Sequence, residues 1–360
     1  MISVAGAGMA GLVAAARLRE LGRPVAIRER GSRAGGSMLL SSCVVWRHRR
    51  FEDFRRECPA GDERLQRLVW ERLDDALEWL VVARGAPVVW EETGNPSTVG
   101  KRFEPRGLVE ALGAADVQFG VDGRVDGPLV LCTGGFGASA ELVARYIAPA
   151  VPLRLRASPW SVGHGLGLAV DRGAALTAGL DEFYGRNMPD AAWGESDLVA
   201  MSQLYARFAR IFDETGSEFF AARDVSWSET NVVQATARRP GARAYYLLDE
   251  AALRQRVRDR TVREMVDAGP PAARIDPGKL PFAAPSGTVA AVRVVAAITH
   301  TIGGVRVDER ARVLHEDGSA VEGLWAAGVD AGGVATGGYA SGLAQALVLG
   351  LAAAEDAARA

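Results

Sequence analysis

The sequence has few cysteines, and no two of them are close together. Cys43, Cys58 and Cys132 are the three cysteines, and they form neither a CxxC motif nor a metal-ligand spacing. Isolated thiols of this kind are typical of a reducing compartment. We therefore expect a cytoplasmic protein with no bound metal and no redox-active dithiol.

The sequence also lacks an excess of charge of either sign and a long apolar run. Its 360 residues include 42 basic and 44 acidic ones. This balance gives no reason to expect a nucleic-acid partner. The sequence contains no charge-free run of 18 apolar residues, so we expect no membrane span. The first apolar strand begins at residue 2, so we expect no signal peptide. With 48% hydrophobic residues, the chain can build one large or two ordinary domains.

The most informative stretch is a glycine motif that follows a short apolar strand at the start of the chain. Gly6, Gly8 and Gly11 form G-x-G-x-x-G, with Met9 and Ala10 inside the motif. The first glycine allows a tight turn, and the second lets a pyrophosphate approach the backbone. The third lets the following helix pack close to the strand. The motif predicts a binding site for a dinucleotide.

The residues after the motif strengthen this prediction. A helical pattern covers residues 12–21, and a second short strand ends in Glu29, which Arg30 follows. The helix N-terminus offers N–H groups and a positive dipole end to phosphates. An acidic residue at the end of the second strand is placed to hydrogen-bond the ribose hydroxyls of an ADP group.

A second glycine element indicates which dinucleotide is bound. Gly35, Gly36 and Ser37 follow the acidic residue by a few positions and resemble the second phosphate-side element of FAD-binding flavoproteins. The glycine pair allows close backbone approach, and the serine supplies a hydroxyl. No histidine stands directly beside this turn, so we expect FAD to be bound without a covalent link.

Two segments in the middle of the chain carry further cofactor candidates. A buried strand leads into Thr133, Gly134 and Gly135, which resemble the A-T-G-G-[FY] element of flavoproteins. His164 lies in a segment that resembles the family motif T-G-D-G-x-x-[ML]-A, and it occupies the position where the motif has an acid. It could face flavin or substrate, or it could be an ordinary histidine at a helix start.

The C-terminal part gives the second strong signal. It contains H-T-I-G-G-V-x-V-D from His300 and G-L-W-A-A-G ending at Gly328, with Asp330 just beyond a predicted strand. Ligands bind at the carboxyl ends of such strands in open α/β sheets. A long apolar helix follows from residue 343, and three residues at its start complete the cofactor candidates: Gly338, Ser341 and Leu343.

Taken together, these motifs resemble the fumarate reductase and succinate dehydrogenase flavoprotein family, which includes ketosteroid 1-dehydrogenases and tricarballylate dehydrogenase. The resemblance implies an α/β fold with a doubly wound, Rossmann-like FAD-binding domain. We place this domain at residues 1–185 and 290–360. A smaller α+β cap domain, which would contribute to substrate binding, is inserted at residues 186–289.

The sequence departs from this family where substrate is bound. His300 matches a family histidine that touches a substrate carboxylate or carbonyl, but Tyr339 stands where a carboxylate-binding arginine is expected. The proton-donating cap arginine has no clear match, and Ser226 or Glu229 lies near its position. A family H-P-T histidine is replaced by a segment that contains Tyr184 and Arg186. Clamping two carboxylates requires fixed cations, so fumarate and succinate are disfavoured.

We therefore expect an FAD-dependent oxidoreductase that performs α,β-dehydrogenation or ene-reduction next to a carbonyl, exchanging a hydride with flavin N5. The expected substrate is a small ketone or enone, and the catalytic candidates are His300, Tyr339, Tyr184 and Arg186. With a single dinucleotide motif, electrons would pass to or from an external carrier or oxygen. Two alternatives stay open: an FAD-binding electron-transfer or structural module, and a flavin oxidase or hydroxylase.

Overall fold

The computed structural model describes residues 1–121, 125 and 127–360. Over these residues the strands are β1 (Ile2–Ala5), β2 (Val25–Glu29), β3 (Val44–His48), β4 (Val88–Trp90), β5 (Thr98–Phe103), β6 (Val117–Phe119), β7 (Leu129–Leu131), β8 (Arg154–Leu155), β9 (Phe183–Pro189), β10 (Arg210–Phe212), β11 (Glu218–Phe220), β12 (Arg243–Leu248), β13 (Arg256–Val257), β14 (Arg260–Thr261), β15 (Arg274–Ile275), β16 (Ala290–Thr301), β17 (Arg312–Leu314) and β18 (Ala320–Ala326).

The α-helices of the same residues are α1 (Met9–Glu20), α2 (Phe51–Glu57), α3 (Glu63–Glu78), α4 (Pro105–Ala111), α5 (Ala140–Leu142), α6 (His164–Asp171), α7 (Thr230–Ala237), α8 (Glu250–Arg254), α9 (Val262–Asp267) and α10 (Gly342–Ala357). Side-chain oxygens cap several helix starts. The Asp62 carboxylate accepts from two N–H groups of α3, and the Ser341 hydroxyl accepts from one of α10. Within the described residues, no helix is both long and apolar enough to cross a bilayer.

The described chain divides into two compact units. The first unit comprises Met1–Leu142, Ala157–Glu182 and His300–Ala360, and the second comprises Val143–Arg156 and Phe183–Thr299. The sequence predicts boundaries at 186 and 290. The second unit also includes residues 143–156, because β8 pairs with β16, and it extends to Thr299 within β16.

The first unit is built on a six-stranded sheet with the order β17-β18-β7-β1-β2-β6. β18, β7, β1, β2 and β6 run parallel, and β17 pairs antiparallel at one edge. A parallel sheet with connecting helices is the Rossmann-like arrangement that the sequence predicts. The carboxyl ends of β1, β2, β7 and β18 therefore meet at one edge, which is where the predicted cofactor residues lie.

Helix α1 is largely buried. Leu12, Val13 and Leu18 have no exposed surface, and nine of the 12 residues of the helix are buried. Gly350 of α10 lies so close to α1 that a side chain there would crowd the carbonyl oxygen of Ala10. The two helices therefore form a tightly packed pair.

A three-stranded antiparallel sheet of the first unit is absent from the sequence prediction. It has the order β3-β5-β4. The sequence does not predict β3 and β5, because both carry charged residues and no clear alternation. This sheet places β3 beside the start of α10, since the backbone N–H of Trp46 bonds the Ser341 hydroxyl.

The second unit contains a sheet with the order β11-β10-β12-β16-β15, and β8 and β9 also pair with β16. β12 runs antiparallel to both of its neighbours, β10 and β16. One apolar cluster of this unit surrounds the buried rings of Tyr205 and Tyr246, whose centroids are 5.8 Å apart. Antiparallel strands with short helices match the predicted α+β character of the cap.

Candidate cofactor and active site

The glycine turn after β1 forms an open cradle at one position only. A side-chain carbon on Gly6 would strike the carbonyl oxygen of Cys132, and one on Gly11 would strike the carbonyl oxygen of Gly6. At Gly8, no heavy atom lies within 4 Å of the same point. Packing therefore explains Gly6 and Gly11, whereas the space at Gly8 fits an approaching phosphate. Met9 and Ala10, the first residues of α1, are buried.

The second glycine element lies directly beside the first. The N–H of Gly35 donates to the carbonyl oxygen of Ala7 over 2.7 Å, and Gly36 packs against the Cα of Gly8. The Ser37 hydroxyl accepts from the N–H of Ser158 over 3.0 Å. The chain thus brings together the two glycine elements that the sequence predicts on the phosphate side of FAD.

Glu29 is buried at the end of β2, and its side chain forms a hydrogen bond with the glycine turn after β1. Its carboxylate accepts from the N–H of Ala7 over 2.7 Å and from the N–H of Gly31 over 2.6 Å. It lines a cavity that also includes Gly6, Arg30 and Thr133. A carboxylate has about four lone-pair directions, so two remain for ribose hydroxyls. These free acceptor directions fit the ribose hydroxyls at the ADP end of FAD.

Two residues that the sequence did not assign to this end line the same cavity. His164, the first residue of α6, contributes to its wall, so the structure places it beside Glu29 and Arg30. Trp160 lies there too, with 42% of its surface exposed. A side chain on Gly31 would strike the Trp160 indole. No local pattern identifies Trp160 because its neighbours in the cavity come from distant segments.

The Thr133–Gly135 loop is held by a buried carboxylate from the far end of the chain. Asp330 accepts from the N–H of Thr133, from the Thr133 hydroxyl over 3.0 Å and from the N–H of Gly135 over 3.0 Å. Burial raises the pKa of Asp330, and the bonds from the loop oppose this rise. Asp330 and the loop, including Gly134, were predicted as cofactor residues. The structure gives the carboxylate a positioning role toward the loop, and its direct contact with FAD stays a prediction.

Gly328 connects this region to α1 and α10. It has a φ of +65°, and a side chain there would crowd the Cβ of Ala10. Its carbonyl oxygen accepts from the side-chain amide of Gln345 over 2.8 Å, and the same amide donates to Ala331 over 2.6 Å. The turn after β18 is therefore hydrogen-bonded to α10 and packs against Ala10 in the first turn of α1.

The start of α10 gathers several predicted residues of the first unit. Ser341 caps the helix, Gly342 is its first residue and Leu343 its second. Gly338 packs against the backbone of Glu57 so closely that no side chain could be accommodated. Because α10 has 16 residues, its N-terminus carries a positive dipole end that can stabilise negative charge on a flavin ring.

Tyr339 lies in the segment before α10, in an aromatic setting. Its ring centroid is 5.7 Å from that of Trp46, and Trp46 in turn packs edge-on against His48 at 5.3 Å. The backbone N–H of Tyr339 bonds the buried thiol of Cys58, whose pKa burial raises. The Tyr339 side chain is half-buried, so part of its surface stays accessible to solvent.

His300 lies at the end of β16 and packs against Gly342. Its Nδ1 is 3.0 Å from the carbonyl oxygen of Thr301, and its Nε2 is the closest atom to a side chain placed on Gly342. Burial lowers the pKa of this imidazole below its ordinary value. His300 thus packs against the first residue of α10, and Tyr339 lies three residues before that helix begins.

Tyr184 and Arg186 belong to the second unit, where they lie together on β9. The Arg186 guanidinium stacks on the Tyr184 ring at 5.0 Å and donates to the carbonyl oxygen of Ser228. The next residue, Glu229, is buried, and burial raises its pKa to about 7 although Arg186 opposes the shift. The catalytic role of Tyr184 and Arg186 stays a prediction. In the described part of the chain, no group of three or more acidic, histidine or cysteine side chains could hold a metal.

The chain matches two protein-family models. Residues 120–343 match the model of the FAD binding domain family, and residues 4–48 match an NAD(P)-binding Rossmann-like domain. No curated protein matches the sequence significantly.

Solved structures share the fold of the whole chain. A flavocytochrome c3 fumarate reductase in its open conformation aligns with 100% of this chain and 78% of its own, at a TM-score of 0.71 and 19% identity. The 3-ketosteroid delta1-dehydrogenase of Sterolibacterium denitrificans aligns over 99% of both chains, with a TM-score of 0.74 and 15% identity. The 3-ketosteroid-delta4-(5alpha)-dehydrogenase of Rhodococcus jostii RHA1 aligns with 99% of this chain and 96% of its own, at a TM-score of 0.65 and 18% identity.

The predicted cofactor and family are therefore confirmed. The family model covers more than half of the chain, and the cradle at Gly8, the two glycine elements and the acid at Glu29 are the parts that an FAD site needs. The chain belongs to the FAD binding domain family, and it is an FAD-dependent oxidoreductase with the fold of the fumarate reductase and ketosteroid dehydrogenase flavoproteins.

Proposed function

We propose that this protein catalyses α,β-dehydrogenation, or the reverse ene-reduction, next to the carbonyl of a small ketone or enone. The observation that carries the proposal is the setting of Tyr339. At the position where an arginine would clamp a carboxylate, the side chain is an uncharged phenol packed on Trp46. A phenol can donate one hydrogen bond to a ketone oxygen, but it cannot neutralise a dicarboxylate.

The chain's own groups suit the chemistry that such a substrate needs. When bound, FAD would accept the hydride from the β-carbon in the oxidative direction or supply it in the reductive one. The Tyr339 hydroxyl would donate to the carbonyl oxygen and stabilise the negative charge that develops there. The N-terminus of α10 would stabilise negative charge on the cofactor side. An external carrier or oxygen would then exchange electrons with the enzyme.

The neighbouring solved structures are consistent with this proposal. One is a ketosteroid dehydrogenase in complex with 1,4-androstadiene-3,17-dione, and another is a ketosteroid dehydrogenase in complex with 4-androstene-3,17-dione. Both ligands are enones. The two dehydrogenases are 15% and 18% identical to this chain, so the likeness concerns the fold, and the substrate is tested by experiment.

Anaerobic titration of the purified flavoprotein tests the proposal. A panel of saturated cyclic ketones should bleach the oxidised flavin, and cyclic enones should reoxidise the reduced flavin. Succinate and fumarate, as matched dicarboxylates of the two oxidation levels, should do neither. Turnover of fumarate at about 1 per second or more, which is an ordinary enzyme rate, would contradict the proposal.

A further inference from the structure

Arg28 is a charged residue in an interior strand of the parallel sheet. It belongs to β2, where it lies beside Ala5 of β1 on one side and Gln118 of β6 on the other. Interior strands of parallel sheets are normally apolar, because both of their faces are covered. An arginine is rarely placed in such a setting without a group that compensates for its charge. The sheet alone therefore does not account for Arg28.

The described residues leave the inner nitrogen of this guanidinium without an acceptor. Nε of Arg28 is buried and has no hydrogen-bond partner among the residues that the structure describes. The adjacent carboxylate of Glu29 accepts from the backbone N–H groups of Ala7 and Gly31 instead. A guanidinium has five N–H donors and no acceptor, so a ligand with acceptor atoms would complete its surroundings.

Arg28 lines the cavity next to Glu29, together with the half-exposed indole of Trp160. Gly8, whose open space fits a phosphate, does not belong to the residues that line this cavity. We therefore place Arg28 on the ribose side of the cofactor site and not at the phosphate cradle. Part of the wall is apolar and is formed by Val121, Val125 and Leu168.

We propose that Arg28 is a specificity-determining residue that recognises the adenine base of FAD through its planar guanidinium. Adenine is flat, and its ring nitrogens accept hydrogen bonds. A guanidinium can donate to such nitrogens or stack on the face of the base. Apolar walls with a few polar groups suit a base better than a charged phosphate. The inference goes beyond the proposed function, because it concerns the cofactor and holds for any substrate.

The assignment divides the ADP end of FAD among three parts of the chain. The open space at Gly8 and the N-terminus of α1 suit the diphosphate. The carboxylate of Glu29 suits the ribose hydroxyls, and Arg28 is left for the base. Loss of Arg28 should therefore weaken the binding of every ligand that carries adenosine diphosphate, whether or not a flavin is attached.

Titration of the full-length apoprotein with FAD and with ADP tests the proposal. Arg28→Met keeps a long apolar side chain and removes the guanidinium. Both ligands should lose affinity by the same factor, roughly 10-fold or more, because a hydrogen bond from a charged donor is lost. Unchanged FAD affinity would overturn the proposal. A loss for FAD without a loss for ADP would also overturn it, because Arg28 would then act on the flavin half.

Charge attraction to the phosphates is the competing explanation, and two measurements separate it from contact with the base. Arg28→Lys keeps the positive charge but loses the planar group, so it should also bind both ligands more weakly. At about 1 M salt, attraction over a distance is screened, whereas a contact inside the cavity persists. Wild-type affinity in the lysine variant, or a loss that disappears at high salt, would overturn the assignment to the base.

A surface arginine provides the matched control. Arg56 lies on α2 with 70% of its side chain exposed and does not line the cavity. Arg56→Met should bind FAD and ADP like the wild type. The melting temperature of each apoprotein checks folding, and the lysine variant keeps the test decisive if the methionine variant does not fold. Because no substrate is added, failure of this inference is distinguishable from failure of the proposed ketone chemistry.

Discussion

Gly11, in the first turn of α1, lies directly against the carbonyl oxygen of Gly6, five residues earlier. This contact separates the glycines of one motif into two physical roles. Gly6 and Gly11 are required by the chain itself. At the side-chain position of Gly8 no atom lies within 4 Å, so we expect its missing side chain to matter only when a cofactor is bound.

The first prediction follows from this separation. Gly8→Ala should fold with near-normal stability, because its φ of −76° suits alanine and no atom lies within 4 Å. It should lose FAD affinity by tenfold or more, since the new methyl group occupies the phosphate approach. Gly11→Ala should lose about 2 kcal/mol or more of stability through overpacking. Denaturant unfolding of the apoproteins and FAD titration measure both. Equal destabilisation of the two variants would contradict the assignment.

Trp160 provides the second prediction. Its half-exposed ring lines the Glu29 cavity and is packed on Gly31, so it offers a flat face for the adenine base. Stacking of a base on an aromatic ring is worth about 1–3 kcal/mol. Trp160→Ala should therefore weaken FAD binding roughly 5- to 150-fold, and Trp160→Phe should recover most of the loss.

Trp90 is a matched control for this experiment. It is 44% exposed and does not belong to the residues that line the cavity. Trp90→Ala should leave FAD affinity unchanged. If both alanine variants bind FAD like the wild type, Trp160 has no role in the cofactor site.

Gln66 supports the third prediction, which concerns the loop before α10. Its buried amide donates to the carbonyl oxygens of Cys58 and Val334, each over 2.9 Å, and its oxygen accepts from Arg55. Gln66→Leu would leave two buried acceptors without their donor, at about 1–3 kcal/mol each. We expect a lower melting temperature and weaker FAD binding. The exposed Glu71→Gln on the same helix should change stability by about 0.5 kcal/mol or less.

The fourth prediction concerns pH and Glu229 in the second unit. Burial raises its pKa from 4.5 to about 7, so between these values the folded state binds more protons than the unfolded state. Stability that is present at low pH is therefore lost as the pH rises through 7. Glu229→Gln has no proton to lose and keeps an oxygen for the N–H of Ala206.

The variant should therefore match the wild type near pH 5 and be more stable near pH 8, by about 2 kcal/mol. Denaturant unfolding at the two pH values measures the difference. An unchanged pH slope in Glu229→Gln would show that this carboxyl does not hold its proton in the folded protein.

The cofactor site was predictable where it is local in sequence. Gly6, Gly8 and Gly11 lie within six residues, and Glu29 follows at the end of the next strand, so one βαβ unit contains the whole signal. The start of α10 was predictable for the same reason, because Ser341 is followed by an apolar helical run.

Contacts between segments that are distant in the chain could not be predicted from the sequence. Asp330 bonds a loop 197 residues away, and Trp160 meets Gly31 only through the tertiary fold. The pairing of β3 with β5 was missed because charged residues interrupt the alternation that marks a strand. The position of His164 beside Glu29 depends on where α6 begins relative to the sheet, which no local pattern determines.

The last prediction concerns Tyr339 and tests the proposed function most directly. Tyr339→Phe removes one hydroxyl and keeps the ring that packs on Trp46 at 5.7 Å. If the hydroxyl stabilises the charge on the carbonyl oxygen, turnover of the active ketone should fall roughly 100- to 10,000-fold. FAD content and melting temperature should hardly change, because the aromatic contact and the backbone bond to Cys58 remain.

The competing explanation treats Tyr339 as a packing residue. Under it, Tyr339→Phe would keep near-normal rates per flavin, whereas Tyr339→Leu would lose stability with the ring contact. The proposal expects both variants to be inactive, with only the leucine variant less stable. Measuring turnover per bound flavin beside the melting temperature of each variant separates the two, because loss of the hydroxyl and loss of the ring then have different effects.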